Sequence, residues 1–178
     1  MINNDDDIII EDADGDGLYY WGIGGKPQSC PSWIPDLEDG DDSDNTLGLM
    51  DEYGMLSENV KRETWTITTS VEYPYIGSTN YGDIVIANGG KVSITGSLCN
   101  IGSVSIYVES GGELIVDGGI LANADIHFSP LSSVTVKNGG IIYMKKNCSF
   151  EAPVGCIVNI ENGEIREPYL KKSSKWYN

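Results

Sequence analysis

"IVIANGGKVSITGSL", residues 84–98, sets apolar side chains at Ile84, Ile86, Val92 and Ile94 in two short alternating steps around a glycine-pair turn, with a small-residue corner before Leu98. Alternation sends every second side chain to one face of a strand. Strands this short do not hold together as a lone hairpin. The same layout recurs as Ile106, Val108, "ESGGE", Leu114, Val116, "DGG", Ile120, and again as Ile126, Phe128, "SPLSS", Val134, Val136, "NGG", Ile142. A fourth copy runs Cys148, Phe150, "EAPVGCI", Val158, Ile160, "ENG", Ile165, giving a period of about 20 to 24 residues.

Stacking the copies answers both needs of such a chain. Each strand bonds to its equivalents above and below, and the inward side chains form one apolar column. Each coil then buries about five aliphatic side chains at about 1.5–3 kcal/mol apiece, against the entropy of ordering the whole coil. The expected fold is mostly β: a short right-handed parallel β-helix, or β-solenoid, of about four coils over residues 83–167, with Ile84, Ile106 and Ile126 in register. An antiparallel sandwich is the competing architecture. The ends of a stack need covering, and "TWTITTSVEYPYIG" before it and "EPYLKKSSKWYN" after it carry the aromatics to act as caps.

Upstream the texture changes. Fifteen of the 27 acidic residues but only one basic residue, Lys26, precede residue 53, so this stretch holds all but two of the 16 excess negative charges. The chain accordingly divides into an irregular Asp-rich module, residues 1–56, and a solenoid with capping segments, residues 57–178. So acidic a balance argues against nucleic acid and anionic membrane surfaces and favours a cation.

"DADGDG", residues 12–17, has the spacing of a calcium loop: Asp12, Asp14 and Asp16 at positions 1, 3 and 5, Gly17 at the bend and the Leu18 carbonyl at position 7. An EF-hand needs a Glu at position 12, where this chain has Ile23, and no helical pattern flanks the loop. The missing oxygens are therefore expected from "DGDDSD", where Asp39, Asp41, Asp42 and Asp44 follow a Pro-containing connection able to fold back. Calcium accepts six to eight oxygens in tolerant geometry. Like charges about 4 Å apart repel by about 4 kcal/mol at an effective dielectric near 20, so without the ion the segment should stay open. A solvated acidic linker is the plainer alternative. Tyr19, Tyr20 and Trp21 follow the loop and are expected to pack it onto the solenoid rather than stack on a sugar.

The two runs, "DADGDGLYYWGIG" and "DGDDSDNTLGLMDEYG" with Cys30 between them, resemble extracellular Asp-rich repeats of the thrombospondin type 3 kind, and more closely a bacterial variant. In that variant DxDGDGY precedes a Cys and then DCDDxD, closing with Gly-x-x-acid, which Gly48 to Asp51 match. Leu18 and Gly40 stand where the variant has Tyr and Cys, so its disulfide does not carry over to Cys30. The resemblance covers residues 11–54 and implies calcium binding in a rigid connector of secreted proteins. With "YYWGIGGKP" and the β-helical stretch included, the combination is similar to segments that accompany peptidase domains in secreted and surface proteins of gut bacteria.

Cys30, Cys99, Cys148 and Cys156 show no zinc spacing; a Cys148–Cys156 bridge and free thiols are both open. No run approaches the roughly 20 apolar residues of a membrane span, and "MINNDDDIII" has neither a basic n-region nor a long apolar one. Polysaccharide lyases and hydrolases share the β-helix, but their sites need grouped acids and bases along many coils. Here Asp83, Asp117, Asp125, the outward His127 and the single Arg166 are scattered, and no serine lies in GxSxG. The expected function is a non-catalytic, calcium-stabilised extracellular module, secreted or at the cell surface. Its expected partners are calcium and a neighbouring domain, another surface protein or a glycan, with neither nucleic acid nor membrane insertion. The alternative is a carbohydrate-binding or polysaccharide-processing β-helix.

Overall fold

The computed structural model describes residues 11–21, 25–50, 56–58 and 62–167. A two-stranded antiparallel ribbon, β1 (Leu47–Met50) and β2 (Leu56–Glu58), precedes the stack. The first turn contributes β3 (Trp65–Ile67), β4 (Ser70–Tyr73) and β5 (Ser78–Asn80), and the second β6 (Ile84–Ile86), β7 (Lys91–Ile94) and β8 (Ser97–Asn100). The third adds β9 (Ile106–Val108), β10 (Glu113–Asp117) and β11 (Ile120–Ala124), and the fourth β12 (Ile126–Phe128), β13 (Ser133–Lys137) and β14 (Ile141–Met144). The last closes with β15 (Ile157–Glu161) and β16 (Glu164–Arg166).

Equivalent strands pair in parallel, in the orders β3-β6-β9-β12, β4-β7-β10-β13-β15 and β5-β8-β11-β14-β16. The molecule is a β-solenoid of about five turns, one more than the repeat count gives. The extra turn is "TWTITTSVEYPYIG", expected as a cap: Trp65, Thr66 and Ile67 pair with Ile84, Val85 and Ile86. Its corners use Thr68, Thr69 and Pro74 instead of a glycine pair, which hides it from the repeat pattern. The second expected cap lies outside the described residues beyond Glu167.

Ile84, Ile106 and Ile126 are in register; Val108 and Ile86 below it are fully buried, and Phe128 above it is half-buried. Ile120 is a correction. It pairs with Ser97 and Ile141, while Leu121 pairs with Leu98 and Ile142 and is the inward residue. The glycine pairs divide their tasks. Gly111 takes φ +80°, whereas Gly112 is needed for space, because a Cβ there would lie 2.4 Å from the carbonyl oxygen of Ile86 in the turn below. Positive φ is therefore only half of the reason for the pair. Beside the core, Asn80 and Asn100 join through their side-chain amides, and Asn123 Nδ2 donates to the Asn100 carbonyl at 2.7 Å. This ladder runs beneath the amino-terminal loop. All four cysteines are free thiols.

Candidate metal centre on the solenoid flank

In the acidic loop, one oxygen of each carboxylate is fixed by a nearby backbone N–H. Gly15 donates to Asp12 Oδ1 at 2.8 Å, Asp16 to Asp14 Oδ1 at 3.0 Å and Leu18 to Asp16 Oδ1 at 2.7 Å. Gly15 and Gly17, at φ +79° and +90°, allow the tight winding that does this. Carboxylate oxygens of Asp12, Asp14 and Asp16 consequently lie within 4.8 Å of one another.

The second run folds back onto the first. A parallel bridge joins Tyr19 to Glu38, Asp39 donates its N–H to the Tyr19 carbonyl at 3.1 Å, and the Ala13 N–H reaches Asp42 Oδ1 at 2.6 Å. Asp39 is only 3% exposed. Its Oδ1 accepts from the Asp41 N–H, while its Oδ2, like Oδ2 of Asp14, is buried with no hydrogen-bond partner among the described residues. Asp41 and Asp44 are employed differently: Asp41 Oδ1 takes both donors of Ser43, and Asp44 Oδ1 both donors of Thr46. Leu18 contributes a fully buried side chain. Ile23 and Asp51 lie outside the described residues.

Electrostatics follow from this crowding. Burial, then the charges of Asp16 and Asp14, push the Asp12 carboxyl up to about 8. Asp39 is raised to about 7 by burial, with Asp16, Asp14 and Asp42 adding to the shift against the Asp41 hydrogen bond. Burial also raises Asp14, whereas the exposed Asp44 is lowered by its Thr46 bonds. Such carboxylates resist ionising together at neutral pH, and a cation that joins them removes that resistance.

The loop is seated on the solenoid. Gly102 donates its N–H to the Asp16 carbonyl, Cys99 Sγ lies 3.4 Å from the Gly17 carbonyl, and a Cβ on Gly17 would be 2.1 Å from the Asn100 carbonyl oxygen. The small residues Cys99 and Ala122, paired between β8 and β11, leave room for that approach. Leu18, Tyr19, Trp21, Cys30, Trp33 and Ile34 form one buried cluster with Cys99, Ile101 and Ala122. Tyr19 and Trp21 pack as expected; Tyr20 is 44% exposed and points away. Trp33, stacked on Tyr143 with ring centroids 5.1 Å apart, is an anchor that the sequence reading missed. Its signal was "CPSWIPDL", an apolar run inside an acidic segment.

Among the described residues, the remaining acids form no second group of three placed to hold an ion. Asp83 and Asp125 are tied to Ser105, Asp125 also to His127 Nε2 at 3.3 Å, while Asp117 pairs with Lys137 and Asn138 at another corner and Arg166 with Glu164. Comparison with family models, with curated proteins and with solved structures found no match.

Proposed function

We propose that this chain is a non-catalytic, calcium-stabilised extracellular module in which one or more ions lock the amino-terminal segment to the solenoid flank. The supporting observation is the pair of buried carboxylate oxygens without hydrogen-bond partners among the described residues, Asp14 Oδ2 and Asp39 Oδ2, beside the Asp12, Asp14 and Asp16 cluster. Buried polar groups are almost always satisfied, and a hard cation satisfies several carboxylates at once. Asp12, Asp14, Asp16, Asp39 and Asp42 are the side chains that would hold it. Asp41 and Asp44, committed to their turns, would shape the second loop. The resemblance to thrombospondin type 3-like repeats supports the same ion and a place outside the cell, where calcium is abundant, as part of a larger secreted or surface protein.

Isothermal titration of the full chain tests this. Calcium should bind in the micromolar to millimolar range with little competition from magnesium, whose octahedral demands suit loops of this kind poorly. Asp39→Asn should weaken binding at least tenfold. Absence of any calcium heat at millimolar ion would reject the proposal.

A carbohydrate-processing role is the second reading, favoured only by the outward stack of Tyr107 on His127, whose centroids are 5.1 Å apart, with Asp125 beside it. The same outward column continues through Val85 and Thr66, which offer no ring. Two turns give too short a platform for a polysaccharide groove.

A further inference from the structure

The β14-side turn that carries Lys145 and Lys146 reaches over to the acidic loop in two ways. Lys145 Nζ donates to the Gly102 carbonyl at 2.5 Å, and the N–H of that same Gly102 donates to the Asp16 carbonyl. Lys146 lays its stem on the loop itself: a Cβ on Gly15 would sit 2.7 Å from Lys146 Cβ and 3.1 Å from its Cδ. Only a glycine admits that contact. The ammonium is close enough to lower Asp14 against the effect of burial, yet among the described residues no carboxylate oxygen comes within ion-pair distance of it. One positive charge thus stands half-buried on the solenoid side of the site, its stem on Gly15 and its field reaching Asp14.

We infer that Lys146 is a built-in counter-charge of this site: it steadies the acidic loop on the solenoid when no cation does, and by the same attraction it weakens calcium binding. The inference rests on the calcium reading and adds its regulation. A fixed unit charge stabilises the ionised, ion-free cluster, and it repels a divalent ion entering the same field. Removing it should therefore move the two properties in opposite directions. A merely structural lysine behaves otherwise, since its loss would loosen the loop and weaken calcium together.

The test uses the full chain with Lys146→Met, which keeps the stem on Gly15, and Lys146→Arg, which keeps the charge. Calcium titration at low salt should give the Met variant on the order of three- to tenfold tighter binding than wild type. The gap should close at high salt through screening. In chelator, labelling of Cys99, read by peptide mass spectrometry, should be faster in the Met variant, because Cys99 is fully buried under the loop. The Arg variant should match wild type in both. Unchanged or weaker calcium binding by the Met variant, with wild type binding normally, overturns the counter-charge alone. If wild type binds no calcium, the calcium reading falls and this inference falls with it.

Discussion

Gly17 and Leu131 both hold positive φ, +90° and +65°, but their surroundings differ. Gly17 has the Asn100 carbonyl where a Cβ would go, whereas Leu131 stands 72% exposed at a corner where the preceding turn has Gly111. Gly17→Ala should therefore detach the loop, seen as fast Cys99 labelling even with calcium present. Leu131→Gly should be neutral or raise stability by up to about 1 kcal/mol in a denaturant titration, as the left-handed penalty disappears and glycine's entropy cost partly offsets the gain.

The carboxylates set a second residue-scale expectation. Asp12 at about 8 and Asp39 at about 7 lie above the ordinary value of 3.8, the reverse of the usual paired aspartate. The docked, ion-free segment then holds more protons than the undocked one across that window. Its stability should be full near pH 4 and fall as pH rises through 7 to 8. Calcium needs the deprotonated carboxylates, so affinity should rise over the same window with protons released. Melting curves in chelator and in calcium, at pH 5.5 and 8, should diverge most at the higher pH. Asp39→Asn should narrow that divergence; an equal calcium shift at both pH values would refute the coupling.

At the scale of elements, legibility depended on whether a physical constraint repeats. Inward residues such as Val92, Leu114, Val134 and Val158 recur at fixed intervals because each strand bonds its equivalent in the next turn, so the strands of turns two to four and the two that close the last turn show in the sequence. The β3–β5 turn escaped because Thr68, Thr69 and Pro74 make its corners, and Ile120 reads as inward in place of Leu121 because two neighbouring aliphatics fit the pattern equally. For the site, the DxDxDG spacing revealed Asp12, Asp14 and Asp16, but spacing within a run says nothing of which members of the second run face the first. Asp39 and Asp42 turned out to, through the Tyr19 and Ala13 backbone contacts. The apolar run around Trp33 hinted at an anchor but not at its partner, since Tyr143 is 110 residues away in sequence and on another element. If the Trp33 anchor holds the segment on the flank, Trp33→Ala should cost about 3 kcal/mol and weaken calcium binding without touching a carboxylate. Unaltered affinity would mean that the loop binds its ion independently of docking.

For the whole molecule, a stack in which each turn touches only its neighbours has ends unlike its middle. Val108 is fully buried with turns on both sides, whereas Ile160, paired to Val136 in β13 below it, is 53% exposed, and every residue of β15 is exposed. The same substitution should therefore have position-dependent consequences. Val108→Asp places an unpaired charge in the apolar column and should cost more than about 4 kcal/mol, enough to prevent folding. Ile160→Asp leaves its carboxylate in water and should cost about 1 kcal/mol, with circular dichroism and the calcium response intact. Because the acidic loop rests on β8 and β11, the calcium response proposed for it should tolerate the Ile160 change and vanish with the Val108 change. Equal losses from both would mean that the last turn is covered as completely as the middle ones, and that the stack folds as a single closed unit rather than as a column with an open end.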